Sequence, residues 1–245
     1  MTNGRFRSLF LVLALLALPA GIQAQPWVVD DAGITDYGAC QLETWGGGEE
    51  AWFLPACQLV TGFEVTTGVA VFDAGMGSRR GHAILEGKST IWSRGVAELG
   101  LVGGVAVPFS TDGPRVAEAM AYLPLTLTSA GREAMLHLNA GAMMNRLLVT
   151  EDPQGVGEVE RESAAIWGVR GDLPIHSRWT VIAEVFGMGS DEVETQAGLR
   201  MEVVPERLLV DVSYGHDLSN SGAPGGPGLD AQALQPLGAL RHGSE

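Results

Sequence analysis

Polar residues that could do chemistry recur at alternate positions inside otherwise apolar runs. They are Glu64 and Thr66, Glu86 and Lys88, Glu98, His137 and Asn139, Asn145, Arg170, Glu184, Arg200 and Asp211. Residues two apart in an extended chain project to the same side of a sheet, so this spacing gathers charge on one face. The chemistry open to such a face is ion pairing across strands, a polar path for solutes, or a ligand site. Proton transfer by His137 is the one catalytic option. The five histidines (82, 137, 176, 216 and 242) show no HExxH or His-x-His spacing, so no metal site is expected. GGGEE and GVGEVE are turn-like and match no phosphate loop or dinucleotide fingerprint, and GxSxG is absent. No cofactor is expected, and the expected role is not enzymatic.

The elements that must position these residues read as strands. Residues 178–215 form three alternating runs separated by short polar turns. Trp179, Val181, Ala183 and Val185 oppose Thr180, Ile182 and Glu184. Ala197, Leu199, Met201 and Val203 oppose Gln196, Arg200 and Glu202, and then Leu208, Val210, Val212 and Tyr214 oppose Asp211 and Ser213. Strands are expected at 38–46, 51–59, 62–73, 81–92, 96–109, 115–127, 133–148, 160–173, 177–188, 193–204 and 206–216, with a weaker one near 233–241. About twelve antiparallel strands, each longer than the usual soluble strand, suit an up-and-down transmembrane β-barrel with its apolar parity facing lipid. The alternating lengths of the connections agree. Val60-Thr61, Ser93–Gly95 and Pro205-Glu206 are tight, whereas 73–80 and 150–159 are long, as for periplasmic turns against external loops. On this reading Trp45, Trp52 and Phe109 mark the external rim, Trp92 and Trp179 the periplasmic rim, and Trp167 lies mid-strand.

Hairpin arithmetic gives pairings. A turn at 46–50 makes partners sum to 97, which sets Cys40 against Cys57 and Trp45 against Trp52; the two cysteines are then within disulfide reach. A turn at Pro205-Glu206 sets Arg200 against Asp211, and one at 93–95 places Lys88 diagonal to Glu98. Glu64, Lys88, Glu98, His137, Asn139, Glu184, Arg200 and Asp211 are thus expected to line a lumen.

Residues 1–24 carry Arg5 and Arg7, an apolar run at 9–18 and a small-residue site before Gln25, the pattern of a cleaved secretory signal. Residues 25–37 read as a polar irregular segment and 38–245 as the barrel domain. After cleavage, 13 basic residues face 29 acidic ones, a net charge of −16, which excludes a phosphate-neutralising nucleic-acid binder. Export through an oxidising compartment favours the Cys40–Cys57 bridge.

The segments YGACQLETW, EGKSTIW with Lys88, HLNAGAMMNR, and AEVFG followed by ETQAGLRMEVVPERLLVDVSYG carry a likeness over residues 34–216. The chain resembles a proteobacterial family of exported proteins grouped with outer-membrane transporters, and the barrels named after the meta pathway of phenol degradation. That resemblance implies an outer-membrane β-barrel passing small molecules. The chain departs from such barrels at its end, LGALRHGSE, where an aromatic residue is common. The expectation is therefore a non-enzymatic pore or transporter-like protein in the cell outer membrane, its partners lipid and a small-molecule solute. Two other classes stay open. One is a soluble periplasmic β-sandwich or barrel binding an apolar ligand; the other is a barrel-embedded envelope-lipid hydrolase using His137.

Overall fold

The computed structural model describes residues 27–46, 50–73, 79–109, 115–131, 133–149, 158–189 and 192–218. The expected signal, 1–24, and the expected strand near 233–241 lie outside them. Eleven strands follow one another: β1 (Cys40–Gly46), β2 (Glu50–Val60), β3 (Phe63–Asp73), β4 (Arg79–Arg94), β5 (Ala97–Pro108), β6 (Arg115–Thr128), β7 (Met135–Val149), β8 (Glu158–His176), β9 (Trp179–Met188), β10 (Glu192–Val204) and β11 (Leu208–Asp217). Each pairs antiparallel with its sequence neighbours, giving one up-and-down sheet in the order β1 to β11. Among the described residues no ladder joins β1 to β11, so the sheet has a seam there.

Turn chemistry sets the register. Gly62 and Gly95 adopt positive φ (77° and 63°) in two-residue turns closed by Val60↔Phe63 and Arg94↔Ala97. Cys40 faces Cys57, Trp45 faces Trp52 and Arg200 faces Asp211, as hairpin arithmetic predicts. Lys88 does not lie diagonal to Glu98. It faces Glu64 on β3 and Val102 on β5, whereas Glu98 faces Ser93 and Thr126. The turn sits at Gly95-Val96 rather than at 93–95, and a bulge between Thr90 and Trp92 then shifts the register back by only one residue, leaving Lys88 opposite Val102.

The two faces invert the usual burial. On the convex side large apolar residues are exposed: Leu85 is 52% and Leu101 48% accessible. On the concave side charged residues are sealed, Lys88, His137 and Arg170 each at 1%. Aromatic placement is mixed. Phe109 and Trp92 are exposed on the outer side, but Trp52 is buried and Trp45 packs with it on the inner side, so these two form no outer rim.

Cys40 and Cys57 are disulfide-bonded, closing a loop with a sequence separation of 17. In the chain-entropy account a loop of that size contributes about 3 kcal/mol. Replacing both by Ser is expected to lower stability by up to that amount, read as a lower urea midpoint in detergent, without changing the fold.

Candidate functional site: the charged interior and residues 27–35

The interior is built in two layers. Toward the longer connections, Trp52, Ala70, Ile84, Ala106, Met120, Met143 and Ile166 form a buried apolar cluster. Phe72 joins it edge-on to Trp52, ring centroids 5.4 Å apart. Toward the tight turns the inner residues are polar, and their partners come from an unexpected source.

That source is the N-terminal segment. Residues 27–35 are irregular, as their composition suggests, but they cross the concave face and are held there by strand side chains. Trp27 Nε1 donates to Asp211 on β11 (2.8 Å). The Val28 and Val29 N–H groups donate to the two carboxylate oxygens of Glu184 on β9 (2.8 and 3.1 Å). Arg170 on β8 donates to the Val29 carbonyl. Lys88 on β4 pairs with Asp30 at 2.9 Å and with Asp31 at 3.6 Å, and Tyr122 on β6 donates to Asp30 at 3.2 Å. With its amide nitrogen turned toward the Asp30 carbonyl, Asn139 on β7 donates to that oxygen (2.9 Å) and accepts from the Asp30 N–H (2.7 Å). Ala32 N–H donates to Thr126 on β6, Thr90 donates to the Ala32 carbonyl, and Thr35 N–H donates to Glu64 on β3. Trp27, Val28, Val29, Asp30, Asp31 and Ala32 are all buried. A segment lying on a flat sheet would keep one side wet, so burial this complete requires the sheet to curl around it.

Glycines make room for the backbone. A Cβ at Gly168 would lie 2.4 Å from Val29 Cγ2, one at Gly198 2.9 Å from the Trp27 ring, and one at Gly100 3.3 Å from the Ala32 carbonyl. The first two contacts would force a side chain to shift, and the third would require the neighbour to give by a few tenths of an ångström.

The expected lumen residues are therefore mostly gathered together. Glu64, Lys88, Asn139, Glu184 and Asp211 touch residues 27–35 directly. Arg200 does so through Asp211, which it holds through Nε at 2.8 Å. Glu98 sits at the turn end, partly buried and opposite Thr126, and no bond from it to residues 27–35 is described. Arg170 and Asp172 form the central pair, at 2.9 Å, buried on both sides.

His137 Nδ1 lies 2.9 Å from Thr126 Oγ1, and its Nε2 lies 3.7 Å from Asp172. Hydroxyl, imidazole and carboxylate in that sequence match the order of parts in a hydrolytic triad. Here, however, Ala32 N–H donates to the hydroxyl oxygen and the imidazole is buried. A nucleophile needs a free line of approach to a carbonyl carbon, so the arrangement works as a support for residues 27–35. Among the described residues no group of three or more His, Cys, Asp or Glu could hold a metal ion.

Sequence reasoning gave residues 25–37 as a polar irregular segment but did not place 27–35 inside the sheet. The available signal was Trp-Val-Val-Asp-Asp: three consecutive apolar residues and two anions next to a face carrying Lys88 and Arg170.

Residues 11–224 match the model of a family described as "Uncharacterised conserved protein UCP029691". The chain belongs to that family. No curated protein and no solved structure matches the chain. The family's match begins before the first described strand and ends just beyond β11, so it takes in both the sheet and the segment inside it.

Proposed function

We propose that the chain is an outer-membrane β-barrel that passes small solutes, held in a closed state by residues 27–35. The observation carrying this reading is the inverted burial: an apolar convex face left exposed and a charged concave face sealed. In water an exposed apolar surface of this extent is costly, and lipid removes the cost while the polar groups stay inside. Strands of ten or more residues beyond β1, and connections that are short at one end and longer at the other, support the same environment. Strands that span lipid need every backbone group paired, so this reading requires the edges of β1 and β11 to be covered.

The solute class follows from charge. Among the described residues acidic side chains outnumber basic ones on the inner face, with Glu43, Glu50, Glu64, Glu98, Asp172, Glu184 and Asp211 among the former and Lys88, Arg170 and Arg200 the latter. Such a lumen favours cationic or neutral solutes over anions.

The test is cell fractionation followed by gel migration of boiled and unboiled samples in mild detergent. The expected result is a band in the outer-membrane fraction whose mobility shifts on boiling. A band released by osmotic shock, with no shift, would favour the soluble ligand-binding alternative and make the convex apolar face an interface of another kind.

A further inference from the structure

We infer that residues 27–35 are a releasable plug, bound in a groove built to receive an extended acidic peptide. Three observations independent of the membrane reading carry this.

The first is the mode of attachment. The backbone bonds described for the segment end on side chains: Val28 and Val29 on Glu184, Ala32 on Thr126 and Thr90, Thr35 on Glu64, Asp30 on Asn139, and the Val29 carbonyl on Arg170. None of these bonds belongs to a strand ladder. The segment can leave without unzipping any pair of strands.

The second is complementarity of charge and chemistry. Lys88 recognises the Asp30-Asp31 pair, Glu184 recognises two successive N–H groups, and Asp211 recognises an indole N–H. Together these specify an extended peptide with an aromatic residue three positions before an acidic pair. The third is shape: a Cβ at Gly168 would meet Val29 Cγ2 at 2.4 Å, and one at Gly100 would lie 3.3 Å from the Ala32 carbonyl oxygen. In a strand, glycine is unfavourable unless another backbone needs the space.

Release therefore changes the interior from sealed to hydrated while the sheet stays intact. This regulates the solute path proposed above and rests on that reading for its purpose, but its test does not depend on lipid.

The experiment uses the full chain in detergent micelles with one reporter thiol, Val28→Cys. The native cysteines are joined to each other, so only the new thiol reacts with a water-soluble maleimide. The competitor is a synthetic peptide copying residues 26–36, and the control peptide carries Asn at positions 30 and 31. The expected result is slow labelling of the folded chain, accelerated tenfold or more by the acidic peptide and by the additional change Gly168→Val, and unmoved by the control. Throughout, the heat-shifted gel band is retained. Labelling that appears only as that band disappears, or that ignores the acidic peptide, would overturn the plug and make residues 27–35 permanent core. Should Val28→Cys not fold, Thr35→Cys gives the same readout at the other end of the segment. If neither folds, the segment is required for the sheet itself and the proposal falls. Peptide-driven labelling in a chain recovered from the soluble fraction would keep the plug and discard the membrane.

Discussion

Replacing Arg170 by Met should destabilise the protein by about 3–5 kcal/mol, the usual cost of leaving one partner of a buried ion pair without the other. The guanidinium holds Asp172 by Nε at 2.9 Å and Nη2 at 3.3 Å, and also binds the Val29 carbonyl. Both side chains of the pair are buried, so water cannot replace what is lost. After the change, Asp172 would keep His137 at 3.7 Å and the more distant charge of Arg200. Removing the second charge as well, in Arg170→Met with Asp172→Leu, should recover part of the loss. The two sites touch, so their effects are expected to be non-additive by about 0.5–3 kcal/mol. Urea unfolding of the wild type, both single variants and the double variant measures this. A single-variant cost below about 1 kcal/mol would show that water reaches the pair and that the interior is wet.

The second large effect concerns the outer face. Val169 lies well inside β8, facing outward between Leu138 on β7 and Val185 on β9. If the convex face meets lipid as proposed, Val169→Arg should cost about 2–4 kcal/mol in lipid vesicles, because the arginine must then bury its charge among acyl chains. The same change on a soluble protein's surface would fall within about ±0.5 kcal/mol. Ser177→Arg, in the β8–β9 turn, supplies the comparison and should be neutral in either setting. Equal, small effects at both positions would remove lipid from the convex face.

Much of the sheet was legible because two signals agreed over long runs. The alternation in 178–215 gave three strands, and short turns fixed the register of Arg200 with Asp211 and of Cys40 with Cys57. Where a single signal stood alone, reading was weaker. In β2 both parities are apolar, Trp52, Leu54 and Ala56 against Phe53, Pro55 and Cys57, so alternation could not tell which way Trp52 pointed. It points inward, into the apolar layer. Lys88 was placed on the right face but given the wrong partner. A turn at Gly95-Val96 instead of 93–95 was enough to move Glu98 away, and the bulge only partly offset it. Its actual partner, Asp30, lies 58 residues earlier in a segment with no period at all. Irregular chain makes its contacts through single side chains, and nothing in local spacing announces them. The family match reaches over the same segment without indicating what it does there.

The bond from Trp27 to Asp211 spans 184 residues, nearly the whole described chain. This has a consequence for the order of folding. Neighbouring strands can pair as soon as each hairpin exists, since their loops are short and closing them is entropically cheap. Residues 27–35 have no complete berth until β9 supplies Glu184 and β11 supplies Asp211. The stretch nearest the start of the chain is thus the last to settle, arriving after every strand has been laid beside its neighbour. Docking by long-range contact is slow, and until it finishes Lys88 and Arg170 must remain solvated by water. The rate at which the tryptophan environment matures during refolding should therefore lag behind sheet formation, marking the moment when the interior dries.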